Sequence, residues 1–164
     1  MVRAVEVKVP FDDGTAVALV GTVLPWLSDN QLNDVRGAAA FVNSLQKQSE
    51  DWQRLNVEFS GRMCVAGDFN QDLLEDGHYY GSRDGREMLR AVLANLELDC
   101  VNGGVDDPLQ GVKRLAVIDH VCIGNGLTVL QTPRSQVWPE PVELSRHVSD
   151  HYGVSTTIVR RRPS

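Results

Sequence analysis

Three short polar clusters, each closing an apolar run, constrain this chain more than any other feature: Val65-Ala66-Gly67-Asp68-Phe69-Asn70, Val117-Ile118-Asp119-His120 and Val148-Ser149-Asp150-His151. Met63 to Gly67 and Leu115 to Ile118 read as strands, and the segment around Val148 does so more weakly. Acids, an amide and imidazoles therefore gather where strands leave a core, the place where α/β proteins concentrate their chemistry.

The rest of the chain supplies the frame. Val5-Glu6-Val7-Lys8-Val9 alternates, Ala16 to Val23 is nearly continuous apolar sequence, and Asp12-Asp13-Gly14 between them is a turn signal, so the chain opens with a hairpin. Ser28-Asp29 offers an N-cap, and Leu32, Val35, Ala39, Val42 and Leu45 recur at helical steps towards Trp52 and Leu55. Asp72 to Asp84 reads as a surface loop, and Met88, Leu89, Val92, Leu93 and Leu96 mark a second helix. A short strand over 99–101 follows, then a turn-rich segment over 102–111. Leu115 to Ile123, the turn Gly124-Asn125-Gly126 and Leu127 to Gln131 predict a second hairpin. Pro133 to Pro141 reads as a loop and His151 to Val159 as a last strand.

At 164 residues the chain is one domain's length, enough to bury roughly 70% of its unfolded surface without metals or disulfides. No apolar run approaches the roughly 20 residues of a membrane helix, and Met1 to Val7 lacks the pattern of a secretory signal. The expectation is a cytoplasmic protein with no membrane partner. Cys64, Cys100 and Cys122 fit neither a zinc pattern nor a disulfide framework and read as packing residues. The net charge of −6 argues against a protein living on long duplex nucleic acid, since phosphate neutralisation supplies non-specific affinity. Arg160-Arg161-Arg162 is the one basic run and reads as a solvated tail.

The chemistry is in the clusters. On an extended chain Asp68 and Asn70 point to one side, where a carboxylate and an amide can hold a hard cation, orient a water and donate to a phosphoryl oxygen. Gly-Asp-x-Asn is also good turn sequence. A histidine held by a buried carboxylate is fixed in tautomer and orientation and can act on a phosphate; Asp119 is a candidate partner for His151. In isolation, Asp119-His120 reads equally well as a polar pair on a sheet edge, and Asp150-His151 as a cap.

In this order, each at a strand boundary, Gly67-Asp68-Phe69-Asn70, Ile118-Asp119-His120-Val121 and Ser149-Asp150-His151 resemble the endonuclease/exonuclease/phosphatase superfamily, which includes pancreatic-type DNases and inositol-phosphate phosphatases. The resemblance covers most of the chain and implies an α/β, or α+β, sandwich: two mostly antiparallel sheets flanked by helices, DNase I-like, with one sheet incomplete. It implies Mg²⁺- or Mn²⁺-assisted hydrolysis of a phosphoester, whether nucleic acid or a small phosphodiester. Asp68 would align the attacking water, Asn70 contact phosphate and metal, Asp119 orient His151, His151 bind or protonate the phosphoryl oxygen, and Asp150 ligate metal; Asp68, Asn70 and Asp150 form the implied metal set.

Two departures temper that implication. In Gly21-Thr22-Val23-Leu24-Pro25-Trp26, Val23 stands where the family ordinarily has a second histidine, and the amino-terminal strands that carry its Asn and metal-binding Glu have no counterpart. Glu6 is the only acid on the first strand. The expectation is a single amino-terminally truncated domain over 1–164, weak or inactive alone, with a non-catalytic phosphate- or partner-binding relic as the alternative. Its exposed sheet edge would invite a homodimer. Among other residues, His78, Tyr79 and Tyr80 read as local packing, His147 as surface, Arg83, Arg86 and Arg114 as a solvated face, and Trp26, Trp52 and Trp138 as core or sheet-covering.

Overall fold

The computed structural model describes residues 4–26, 37–75, 79–112, 116–138 and 151–161. Strands β1 (Ala4–Pro10) and β2 (Ala16–Val23) form the expected hairpin, with Val7 opposite Leu19 and Val9 opposite Val17. The turn is closed by Asp13, whose Oδ1 accepts from both the backbone N–H and the hydroxyl of Thr15, at 3.0 and 2.6 Å. β2 then pairs in parallel with β3 (Met63–Asp68), and the crossover between them contains helix α1 (Ala38–Glu58). β3 pairs antiparallel with β5 (Asp119–Ile123), whose other edge takes the two-residue β4 (Asp99–Cys100), giving one mixed sheet in the order β1-β2-β3-β5-β4. Helix α2 (Arg83–Asn95) is capped by Ser82, which accepts from the Gly85 N–H at 3.0 Å.

Beyond this sheet lie two smaller ladders: β6 (Leu127–Val129) with β9 (Ile158–Arg160), and β7 (Gln136–Trp138) with β8 (Gly153–Ser155). Helices cover one face of the main sheet and the small ladders lie towards the other, a mixed α/β architecture with one sheet extensive and the other fragmentary. Among the described residues no helix is long and apolar enough to cross a membrane.

Five expectations require correction. The second hairpin does not form, because both edges of β5 are already taken by β3 and β4. Gly124 and Gly126 donate to Met63 O and Gly61 O, at 2.9 and 3.0 Å, which carries the chain onward and delivers β6 to β9. The first helix begins at Ala38, after Gly37 at φ 64°; the expected cap at Ser28-Asp29 lies outside the described residues. Its buried stripe is Phe41, Leu45, Gln48, Trp52 and Leu55, with Ala39 turned to solvent. Strand β7 interrupts the expected loop after Pro133, and the last strand is broken into β8 and β9 around Thr156 and Thr157. Trp52 is fully buried, but Trp26 and Trp138 are 51% and 68% exposed.

Candidate active site

The site forms where β3 and β5 end together. Asp68 is the last residue of β3 and Asp119 the first of β5, and they are direct partners in the antiparallel ladder. Residues directly opposite in such a pair project to the same face. That face is the one bearing Cys64, Ala66, Val121 and Ile123, turned towards the small ladders. His151, immediately before β8, reaches back so that its Nδ1–H donates to Asp119 Oδ2 at 2.6 Å. One ligand atom from each of Asp68, Asp119 and His151 lies within 4.8 Å of the others.

Backbone shape makes this convergence possible. Gly67 sits at φ 143°, and a Cβ there would stand 2.0 Å from Thr22 O, so only glycine lets β2 and β3 approach this closely just before Asp68. Asn70 adopts a left-handed φ of 50°, turning the chain back so that its backbone N–H donates to Asp68 Oδ1 at 2.8 Å. Its Nδ2 donates to Asp68 Oδ2 at 2.8 Å and to Leu24 O at 2.9 Å. Asn70 thus fixes both carboxylate oxygens and ties β3 to the chain leaving β2. Val23, one residue before Leu24, is the ladder partner of Asp68 and is 38% exposed.

Burial raises the Asp68 carboxyl above its ordinary value; the Asn70 N–H opposes that rise, the neighbouring Asp119 carboxylate adds to it, and His151 opposes it. Two carboxylates held side by side with limited hydration repel, and a bound cation relieves that repulsion. The donor set of two carboxylates and an imidazole therefore fits a divalent ion.

Three residues not singled out in the sequence hold the start of β5 and the chain after Asn70 in place. Asn102, fully buried, donates to Asp119 O at 2.8 Å and accepts from the Val121 N–H at 2.9 Å, clasping the start of β5. Gln71 accepts through its backbone carbonyl from His120 Nε2 at 2.9 Å and through Oε1 from the Ser82 N–H at 3.0 Å. Asp72, fully buried, accepts from the backbone N–H groups of Tyr79 and Tyr80 at 2.8 and 2.7 Å and pairs with Arg86 at 3.2 Å. These are contacts over long loops that no periodicity marks; Asn102 before two glycines looks like turn sequence.

Other candidates go elsewhere. His120 is not on a sheet edge but in the core, edge-on to Phe69 at 5.5 Å. Glu6 pairs with Arg54 of α1 at 3.5 Å, Arg83 with Glu87 at 2.8 Å and Arg160 with Asp13. Arg86 is mostly buried against Asp72 rather than part of a solvated face. Asp150, His78, His147 and Arg114 lie outside the described residues.

No protein-family model matches the chain, and no curated protein matches it. Among solved structures, it is similar to the endonuclease domain of TRAS1, a telomere-specific non-LTR retrotransposon, at a TM-score of 0.56 and 17% identity over 98% of this chain. The chain spans 64% of that domain's length. The mixed α/β fold is thus similar to that of this endonuclease domain.

Proposed function

We propose that this chain is a phosphoester hydrolase of the endonuclease/exonuclease/phosphatase type that works with a divalent cation, Mg²⁺ or Mn²⁺, at the end of β3 and β5. The observation that carries the reading is the Asp119–His151 pair at 2.6 Å with Asp68 within 4.8 Å of both, on a nuclease-like fold. The cation would be held by Asp68 next to the Asp119–His151 pair, with Asn70 as a further implied ligand; Asp150, the third ligand the resemblance implies, lies outside the described residues. The ion would neutralise phosphate charge and acidify water.

Asp68, oriented by Asn70, aligns the attacking water. Asn70 acts on Asp68 rather than by donating to phosphate, because its amide already donates to Leu24 O and Asp68. Asp119 fixes the Nδ1–H tautomer of His151, so Nε2 is the ring nitrogen for the phosphoryl oxygen as charge develops. The net charge of −6 favours a small or single-stranded phosphoester over long duplex nucleic acid.

Val23, opposite Asp68 where a second histidine would stand, supports weak turnover and a second reading, a non-catalytic phosphate-binding relic. An aryl phosphodiester assay with Mg²⁺ or Mn²⁺ separates the two. Asp68→Ala and His151→Ala are expected to lower the rate by about 10²- to 10⁴-fold, the usual worth of a positioned acid or base. Equal rates for the wild type and both variants overturn the hydrolase reading, and retained inorganic phosphate binding in that case favours the relic.

A further inference from the structure

We propose that Cys100 is a redox-addressable thiol, open to a small peroxide through a cavity beside α2, and that Cys122 is the partner with which it closes a cross-strand disulfide. Cys100 and Cys122 are direct partners in the β4–β5 ladder and both are free thiols. The next pair along is joined by Val101 N donating to Val121 O at 2.9 Å, so Cys100 and Cys122 occupy a non-hydrogen-bonded position. There the Cα atoms stand about 4.5 Å apart, inside the span of about 4.4–6.8 Å that a disulfide bridges. Their side chains share the helix-covered face with His120, whose buried Nδ1 has no hydrogen-bond partner among the described residues.

The two sulfurs differ in access. Cys122 is fully buried, whereas Cys100 is partly exposed and lines a cavity of about 450 Å³ with Leu73, Glu75, Arg90, Leu98 and Gly103. Glycine at 103 keeps the approach open, since a Cβ there would stand 2.9 Å from Cys100 Sγ. The hydrogen bond from Cys122 holds the Cys100 thiol well below its ordinary value against the effect of burial, while Cys64 is pushed up to about 11 by burial.

The chemistry balances in two steps. Cys100 sulfur attacks the peroxide: an S–O bond forms, the O–O bond breaks, and the leaving hydroxide takes the thiol proton as water. Cys122 sulfur then displaces the hydroxyl: the S–S bond forms, the S–O bond breaks, and a second water leaves with the Cys122 proton. Peroxide is reduced and the two thiols are oxidised by two electrons in all. The bridge would pin β4 to β5 beside Asn102, which clasps the backbone of Asp119.

The test is hydrogen peroxide on the full chain in EDTA, followed by intact mass and non-reduced peptide mapping. The expected result is a monomer lighter by about 2 Da, with the bridge mapped to Cys100–Cys122 and reversed by dithiothreitol. Cys122→Ser is expected to leave a dimedone-reactive Cys100, and alkylation of Cys100 in the wild type should outrun that of Cys64 by about tenfold or more. No mass loss, a bridge through Cys64, or Cys64 reacting as fast as Cys100 overturns the proposal. The wild-type map decides the matter even if a variant fails to fold.

Discussion

The two faces of the main sheet teach different lessons. On the helix side, Ala18, Val20, Met63 and Val65 pack under Phe41, Leu45, Trp52 and Leu55 of α1 and Leu89 and Leu93 of α2, and all are buried. On the other side, Val17, Cys64, Ile123 and Leu127 form a small cluster, and among the described residues the sheet beyond it is thinly covered: Val5, Val7 and Leu19 are 66%, 51% and 38% exposed. Both halves of β1 are thereby inverted from the usual pattern. Its valines face the uncovered side, while Glu6 and Lys8 reach Arg54 and Glu58 of α1, the latter pair at 2.9 Å. Stability therefore resides on the helix face, and the groups proposed for chemistry sit at the end of the thinly covered one.

Three measurements break or sharpen that contrast. Trp52→Ala removes a fully buried ring tilted against Phe69 at 6.0 Å and is expected to cost about 3–5 kcal/mol in urea unfolding; a loss under 1 kcal/mol would mean that the helix face is not the stabilising one.

Asp68→Asn tests the other face through pH. Because burial raises the folded carboxyl above its unfolded value, the contribution of Asp68 is favourable below the unfolded value of about 3.9 and is lost as pH rises through the folded one. In EDTA, the variant should therefore gain on the wild type as pH goes from 3.5 to 7, read as the difference in Tm. A gap that does not change with pH would sink the account. Val7→Ala is expected to change stability by less than about 0.5 kcal/mol, as at an open surface; a core-sized loss would show that β1 is covered in solution.

Much of the frame was legible from local pattern. The hairpin of β1 and β2, the helices around Trp52 and Leu89, and strand β3 follow from alternation, helical spacing and turn residues, all short-range signals. The polar clusters themselves were equally visible, and the Asp119–His151 contact lies within them, although only Asp68 closes the strand expected before it. What could not be read was set by competition between distant segments. β6 follows a turn after β5 and looks like its hairpin partner, yet β5 has no edge left for it. Trp26 and Trp138 look like core by residue type, but they stand 51% and 68% exposed.

The sequence by itself determined which residues are available for chemistry and that β3 would end on Asp68, because side-chain type and two- or 3.6-residue periodicity are properties of neighbours in the chain; that Asp119 opens β5 rather than closing a strand over 115–118 was not legible there. Only the tertiary structure decided that Asp68 stands opposite Asp119, that Asn70 turns back to grip Asp68, and that Asn102 and Asp72 hold the surroundings in place. Those contacts depend on ladder register and on which strand edge is still open, and both are settled by pairing across the whole sheet.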